Sequence, residues 1–256
     1  MKLRGRVALV TGASGGIGRS IAIALAAEGA VVAANYHENG DAAEDVVGAI
    51  AAAGGKAIAV QADVGDYAQV ENMVERVVGE LGSLDILVNN AGLAKDGLIF
   101  DMDPGAWLDV MRTNFGGVIH CTRASLEHLM AGDGGSIVNV SSALADRAWL
   151  GDSLYAASKA AVSSFTRGSA LELARFGVRV NAVLPGFVPT ALVHGIMARD
   201  GGKGVLPSIP MRAWGRPEDV ANTVVFLAGP EASYMTGSLV TVDGGTSILL
   251  GLGRSQ

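Results

Sequence analysis

A single cysteine, Cys121, excludes an internal disulfide and any zinc cage built on thiolates. The four histidines, His37, His120, His128 and His194, show neither H-x-x-x-H nor H-E-x-x-H spacing, so no metal site is expected. Basic residues form no cluster and the formal net charge is −6, which argues against a nucleic-acid partner and against binding to anionic lipid. Long apolar runs are missing too. The longest, Ile21 to Ala27, has seven residues, against about 18 for a bilayer span. The apolar stretch behind Met1-Lys2-Leu3-Arg4, Val7 to Val10, is too short for the core of a signal peptide. No membrane association is expected, and the expected location is cytoplasmic.

What the chain does have is small and apolar. Half of its 256 residues are hydrophobic, 36 are glycine and only 5% are aromatic. That mixture suits buried parallel strands, helices packed closely on them and many tight loops. The length suits one α/β domain over 1–256, and no repeat, linker or charge run divides it.

Arg6 to Val10 reads as a buried strand, Thr11-Gly12-Ala13-Ser14-Gly15-Gly16-Ile17-Gly18 as a turn, and Arg19 to Glu28 as a helix. This order is that of a dinucleotide-binding βα turn. Gly12 permits the bend, Gly16 lets the backbone approach a pyrophosphate, and Gly18 allows close packing of helix on strand; the helix N-terminus favours the phosphate charge. Ala30 to Asn35 is the second strand. A carboxylate at its end would bond a ribose 2′-hydroxyl and select NAD. The residues there are Asn35-Tyr36-His37, with no acid before Glu38, which favours NADP(H) and leaves NAD(H) possible through Glu38.

Asp41-Ala-Ala-Glu44 and Asp66-Tyr-Ala-Gln69 read as capping boxes, opening helices that end at Gly54-Gly55 and near Gly82. Between them Ala57 to Val60 is the third strand. Asp63-Val64 beyond it can reach an adenine amino group or simply form a turn. Leu84 to Val88 is the fourth strand, followed by Asn89-Asn90-Ala91-Gly92, either a plain turn or room for a ribose at the carboxyl edge of the sheet. Trp107 to Met130 reads as one long helix containing Asn114, whose side chain competes for backbone bonds there and marks a kink or polar packing. Ser136 to Val140 is the fifth strand, ending at Ser141-Ser142. Val178 to Leu184 is the sixth, stopped by Pro185-Gly186, after which Thr190 can bond a carboxamide. The segment 187–210, which includes Gly201, Gly202 and Gly204 as well as prolines, reads as a substrate lid. Pro217 opens the last helix, and Ser238 to Val242 is a seventh strand.

Tyr155-Ala-Ala-Ser-Lys159 lies on a helix from Leu154 to Phe176, and residues four apart share a face. A phenol titrates near pKa ~10; an adjacent ammonium favours its ionised form and brings it toward a working range, so Tyr155 is the candidate general acid/base. A short loop with helix-starting Asp152 and Ser153 can bring the Ser142 hydroxyl beside that phenol. The small residues on this helix suit a subunit interface.

Together these pieces closely resemble the short-chain dehydrogenase/reductase family over essentially the full length. Asp96-Gly97-Leu98, Trp107 and the tail from Tyr234-Met-Thr-Gly237 to Val242-Asp-Gly-Gly245 look most like its 3-oxoacyl-acyl-carrier-protein reductase branch. The resemblance implies a three-layer Rossmann fold with a seven-stranded parallel sheet and helices on both faces, and usually a homotetramer. It implies a catalytic set of Asn114, Ser142, Tyr155 and Lys159. In that set Tyr155 donates the proton to a ketone, Ser142 bonds the oxyanion, Lys159 binds the nicotinamide ribose, and Asn114 holds a water. The implied cofactor wall runs through Gly12, Ser14, Gly15, Gly16, Ile17 and Gly18, then Asn35, Tyr36, His37, Asp63 and Val64. It continues through Asn90, Ala91, Gly92, Tyr155 and Lys159 to Pro185, Gly186, Val188 and Thr190.

The chain departs from that branch in one respect. Where the carrier-protein reductases place basic residues, this sequence has Ala131-Gly132-Asp133-Gly134 and Arg175-Phe176. An acyl-carrier thioester, another thioester and a free ketone all stay open as substrates. The leading expectation is an NADP(H)-dependent reductase of a 3-oxoacyl-type ketone. The alternatives are an NAD-dependent dehydrogenase of a sugar, steroid or other secondary alcohol, and a catalytically silent cofactor-binding or redox-sensing protein.

Overall fold

Short runs of Val, Ala, Ile and Leu form strands buried on both faces, and the helices between them cover those faces. The computed structural model describes residues 1–249 except 96, 104, 133, 148, 191, 192, 194–197 and 199. Asp96, Asp133, His194 and much of the expected lid lie outside the described residues.

Strands β1 (Val7–Val10), β2 (Val31–Tyr36), β3 (Lys56–Gln61), β4 (Ile86–Asn89), β5 (Ser136–Val140), β6 (Arg179–Pro185) and β7 (Leu239–Val242) form one sheet. Their order is β3-β2-β1-β4-β5-β6-β7, and every pairing is parallel. The order reverses between β1 and β4, which opens a crevice at the carboxyl ends of those strands.

The helices are α1 (Gly16–Ala27), α2 (Gly40–Ala52), α3 (Tyr67–Leu81), α4 (Ala106–Met111), α5 (Gly117–Ala131), α6 (Ser153–Leu173) and α7 (Pro217–Ala228). Strand alternation sends Ala8 and Val10 of β1 into a core with α1, α2 and α7. Val7 and Leu9 point into a second core with α3, α5 and α6. Cys121 sits in the second core, where burial pushes its thiol up to about 12 and leaves it unreactive at neutral pH. None of the helices among the described residues is long and apolar enough to cross a membrane.

Two expected features are corrected. The cap of α2 is Asn39, whose Oδ1 accepts the Ala42 N–H at 3.1 Å, so the helix starts at Gly40 and Asp41 lies inside its first turn. Asp41 and Glu44 therefore form no capping box. The span 107–130 is also not one regular helix: a π-turn, Arg112–Gly116, separates α4 from α5. Gly116-Gly117 weakens the helix at that point, and Gly117 lets the backbone close on Val64, since a Cβ there would lie 2.6 Å from Val64 Cγ2. At α3, Asp66 does cap, accepting the Ala68 and Gln69 N–H groups, while Gln69 Oε1 accepts the N–H of Asp63.

Candidate active site

The glycine turn is shaped by close contacts at Gly12 and Gly18. Gly12 (φ +61°) and Gly16 (φ +54°) occupy left-handed backbone, and a Cβ on Gly18 would lie 2.2 Å from the Gly12 carbonyl oxygen. Asn35 stabilises the turn from below. Its Oδ1 accepts the Gly12 N–H at 3.2 Å and its Nδ2 donates to the Val60 and Ala62 carbonyls. Among the described residues no side chain caps α1 at Gly15 and its first turn holds no acid, so the N–H groups there face the crevice unshielded. That arrangement fits a dinucleotide's pyrophosphate.

The crevice above the turn has a volume of about 870 Å³. It runs from His37, Glu38 and Asn39 at the end of β2, past Asp63 and Val64, to Ser142, Tyr155 and Lys159, with Gly186, Val188 and Thr190 on the far side. Tyr36 is not brought into the wall; its ring packs on Gly40, the first residue of α2. Asn35 reaches the wall only from beneath, with its amide already bonded inward. The Asp63 carboxylate accepts the Gly65 N–H at 2.9 Å and pairs with Arg112 at 3.1 Å.

Asn90 and Thr11 tie the turn to the end of β4. Asn90 Nδ2 donates to the Thr11 and Gly12 carbonyls, and Thr11 Oγ1 accepts the N–H groups of Asn90 and Ala91. Asn89 faces the opposite way, donating to Asn139 Oδ1 at 2.8 Å, while Asn139 donates to Thr166 Oγ1 at 2.9 Å. This buried polar ladder joins β4, β5 and α6 beneath the site.

Asn114 lies in the π-turn and is fully buried. Its Oδ1 accepts the Leu93 N–H at 2.8 Å, and its Nδ2 donates to the Leu93 carbonyl at 2.9 Å and to Ser158 Oγ at 3.0 Å. Ser158 Oγ in turn donates to the Tyr155 carbonyl at 2.7 Å. One side chain thus joins the β4 loop to the helix that carries Tyr155. Asn114 is not itself in the crevice wall.

Ser141 turns inward, donating from Oγ to the Lys159 carbonyl at 2.9 Å. Ser142 starts a short 3₁₀ turn, Ala143–Ala145, and its Oγ accepts the Leu144 N–H at 3.1 Å. Accepting that bond leaves the hydroxyl proton for donation. Asp152 is the cap residue of α6, and Tyr155 lies in its first turn. Lys159, one turn on, places Nζ 5.7 Å from the Tyr155 ring centroid and donates to the Val140 carbonyl at 2.8 Å. Burial lowers its ammonium to about 8.

Several wall residues carried no signal in the sequence. Arg112 and Thr113, both in the π-turn, line the crevice, and Lys95 and Asp109, also in its wall, pair at 2.6 Å. The Lys95 ammonium holds the Asp109 carboxyl below the usual range.

A family described as enoyl-(acyl carrier protein) reductase matches residues 12–247. The 3-oxoacyl-[acyl-carrier-protein] reductase FabG of Staphylococcus aureus is 43% identical over 238 residues, covering 93% of this chain and 96% of that protein. The 3-oxoacyl-[acyl-carrier-protein] reductase of Synechocystis is 42% identical, with coverage of 95% and 97%. Among solved structures, a gluconate 5-dehydrogenase from Burkholderia cenocepacia in complex with NADP and tartrate superposes with a TM-score of 0.92. It is 30% identical, with coverage of 97% and 98%.

Proposed function

The chain belongs to the short-chain dehydrogenase/reductase family and is an oxidoreductase; from that premise we propose that it interconverts a 3-oxoacyl-type ketone and a secondary alcohol, using NADP(H), with Tyr155 as general acid/base. The observation that carries this reading is the meeting of Ser142, Tyr155 and Lys159 with the glycine turn in one crevice.

A bound nicotinamide supplies or accepts the hydride. In the reductive direction the Tyr155 hydroxyl gives its proton to the carbonyl oxygen as hydride reaches the carbon. The Ser142 hydroxyl donates to the same oxygen and stabilises the charge that develops on it. The Lys159 ammonium favours the phenolate left on Tyr155, and its burial strengthens that attraction. Asn114, bonded to Leu93 and through Ser158 to the Tyr155 backbone, holds the two sides of the site in register.

For the cofactor, the glycine turn and Asp63 hold the pyrophosphate and adenine, and the lack of a carboxylate at Asn35 favours NADP. The Burkholderia neighbour was solved with NADP, which supports this choice. Glu38 in the wall supports the second reading, an NAD-dependent alcohol dehydrogenase. For the substrate, the Staphylococcus and Synechocystis relatives are named for acyl-carrier thioesters. Against a carrier partner, one of the two places where basic docking residues would stand is only partly basic, with Arg175 followed by Phe176, whose ring lies 4.7 Å from the guanidinium. We further propose one catalytic domain with a lid at 187–210, a cytoplasmic location, and a homotetramer that covers the exposed Leu171 and Phe176 at the end of α6.

The test is turnover of NADPH and NADH against acetoacetyl thioesters, small ketones and sugars. Oxidation of NADPH by 3-oxoacyl compounds at rates well above NADH supports the proposal. Faster NADH turnover selects the alternative, and no turnover with any substrate rejects both.

A further inference from the structure

Three chain segments each bring one aromatic ring to the same place. The rings of Trp149 and Phe187 are 5.3 Å apart at 71°, and those of Phe187 and Trp214 are 5.8 Å apart at 74°. Both are edge-to-face contacts, the favoured arrangement for aromatic pairs. Trp214 is held by its Nε1, which donates to the Gly202 carbonyl at 3.2 Å.

This row adjoins the reaction centre through the chain itself. Phe187 lies between Gly186 and Val188, both in the crevice wall, and Trp149 lies on the loop that runs from Ser142 to α6. Exposed apolar side chains stand near two of the rings in the chain, with the exposed Arg147 and Arg212 also close by in sequence. Leu150 is 85% exposed and Met211 75%, and the Gly97 N–H donates to the Gly151 carbonyl at 2.9 Å, which draws the exposed Leu98 loop to the same rim. Apolar side chains next to a reaction crevice are suited to desolvating the unreactive part of a ligand. A polyol or sugar acid needs hydrogen-bond partners here, whereas rings set edge-to-face offer an apolar slot for another ring.

We propose that the carbonyl substrate carries a ring-bearing apolar group, that this group seats against Trp149, Phe187 and Trp214, and that Trp149 determines specificity for it. This rests on the carbonyl-reductase reading above. The test uses two 3-oxo esters with the same reacting group, ethyl 3-oxo-4-phenylbutanoate and ethyl acetoacetate, each with NADPH and the full-length enzyme. The wild type should favour the phenyl ester in kcat/KM by about tenfold or more. Trp149→Ala should bring that ratio near one, chiefly through the KM of the phenyl ester, with NADPH affinity and Tm little changed. Trp149→Phe should retain most of the preference. Equal losses on both esters in Trp149→Ala, or a wild type that reduces both equally well, overturns the proposal while leaving the reductase reading intact. A wild type that reduces neither ester nor any ketone of the wider panel overturns both.

Discussion

Lys159 Nζ lies 5.7 Å from the centroid of the Tyr155 ring and donates at 2.8 Å to the Val140 carbonyl, so its ammonium is anchored to β5 while it faces the phenol. A buried cation lowers stability in the resting protein, a cost retained where the charge serves the reaction. Here it serves the proposed phenolate.

Burial takes the Lys159 ammonium from 10.5 down to about 8. The unfolded chain holds this proton more tightly, so between about pH 8 and 10.5 the group's contribution makes folding more favourable as pH rises. Below pH 8 both states are protonated and the folded state bears the full cost, about 3 kcal/mol. Lys159→Met should therefore gain stability relative to wild type at pH 7, and that relative gain should shrink by pH 10. Denaturant melts at the two pH values check this; a constant difference contradicts it. In the wild type, reduction should also slow above about pH 8 as the ammonium is lost.

The glycine turn gives a paired prediction. Gly18→Ala forces a Cβ to 2.2 Å from the Gly12 oxygen and 2.5 Å from Asn90 Nδ2, whereas a Cβ on Gly15 meets nothing within 4 Å. Gly18→Ala should lower stability and weaken dinucleotide binding by more than about tenfold, since the turn must open to admit the methyl group. Gly15→Ala should melt within about 0.5 kcal/mol of wild type. Thermal melts and cofactor fluorescence titrations read both.

Asn114→Leu keeps much of the side-chain volume but removes the bonds to both backbone groups of Leu93 and to Ser158. Leaving those groups unpaired should cost about 1–3 kcal/mol in a denaturant melt. Because the same bonds join the β4 loop to α6, kcat should fall more than the KM for ketone rises.

The strands and glycine turn were legible because they follow from local rules: apolar runs between turn residues, and glycines where the backbone is left-handed or crowded. The family was legible because its motifs occur in order along the whole chain. What escaped turned on finer local geometry and on a helix irregularity. Asn39 took the cap of α2 from Asp41 by a local bond, its Oδ1 accepting the N–H three residues on, and asparagine caps as readily as aspartate. The π-turn at Arg112–Gly116 departs from helical periodicity, and with it Arg112 reached Asp63 without any sequence sign. Asn89, beside Asn90 in the same motif, turned into the buried ladder with Asn139, a direction set by strand alternation rather than by residue type. Tyr36 left the wall on the same alternation, its ring going to Gly40 while Asn35 turned under the glycine turn.

The proposed reaction depends most on the proton that Tyr155 delivers, and Tyr155→Phe removes that proton while keeping the ring. Steady-state ketone reduction by this variant, measured beside its NADPH affinity by fluorescence titration, should show kcat reduced by about 100-fold or more with binding little changed. Turnover at the wild-type rate with the phenol gone would contradict the assignment.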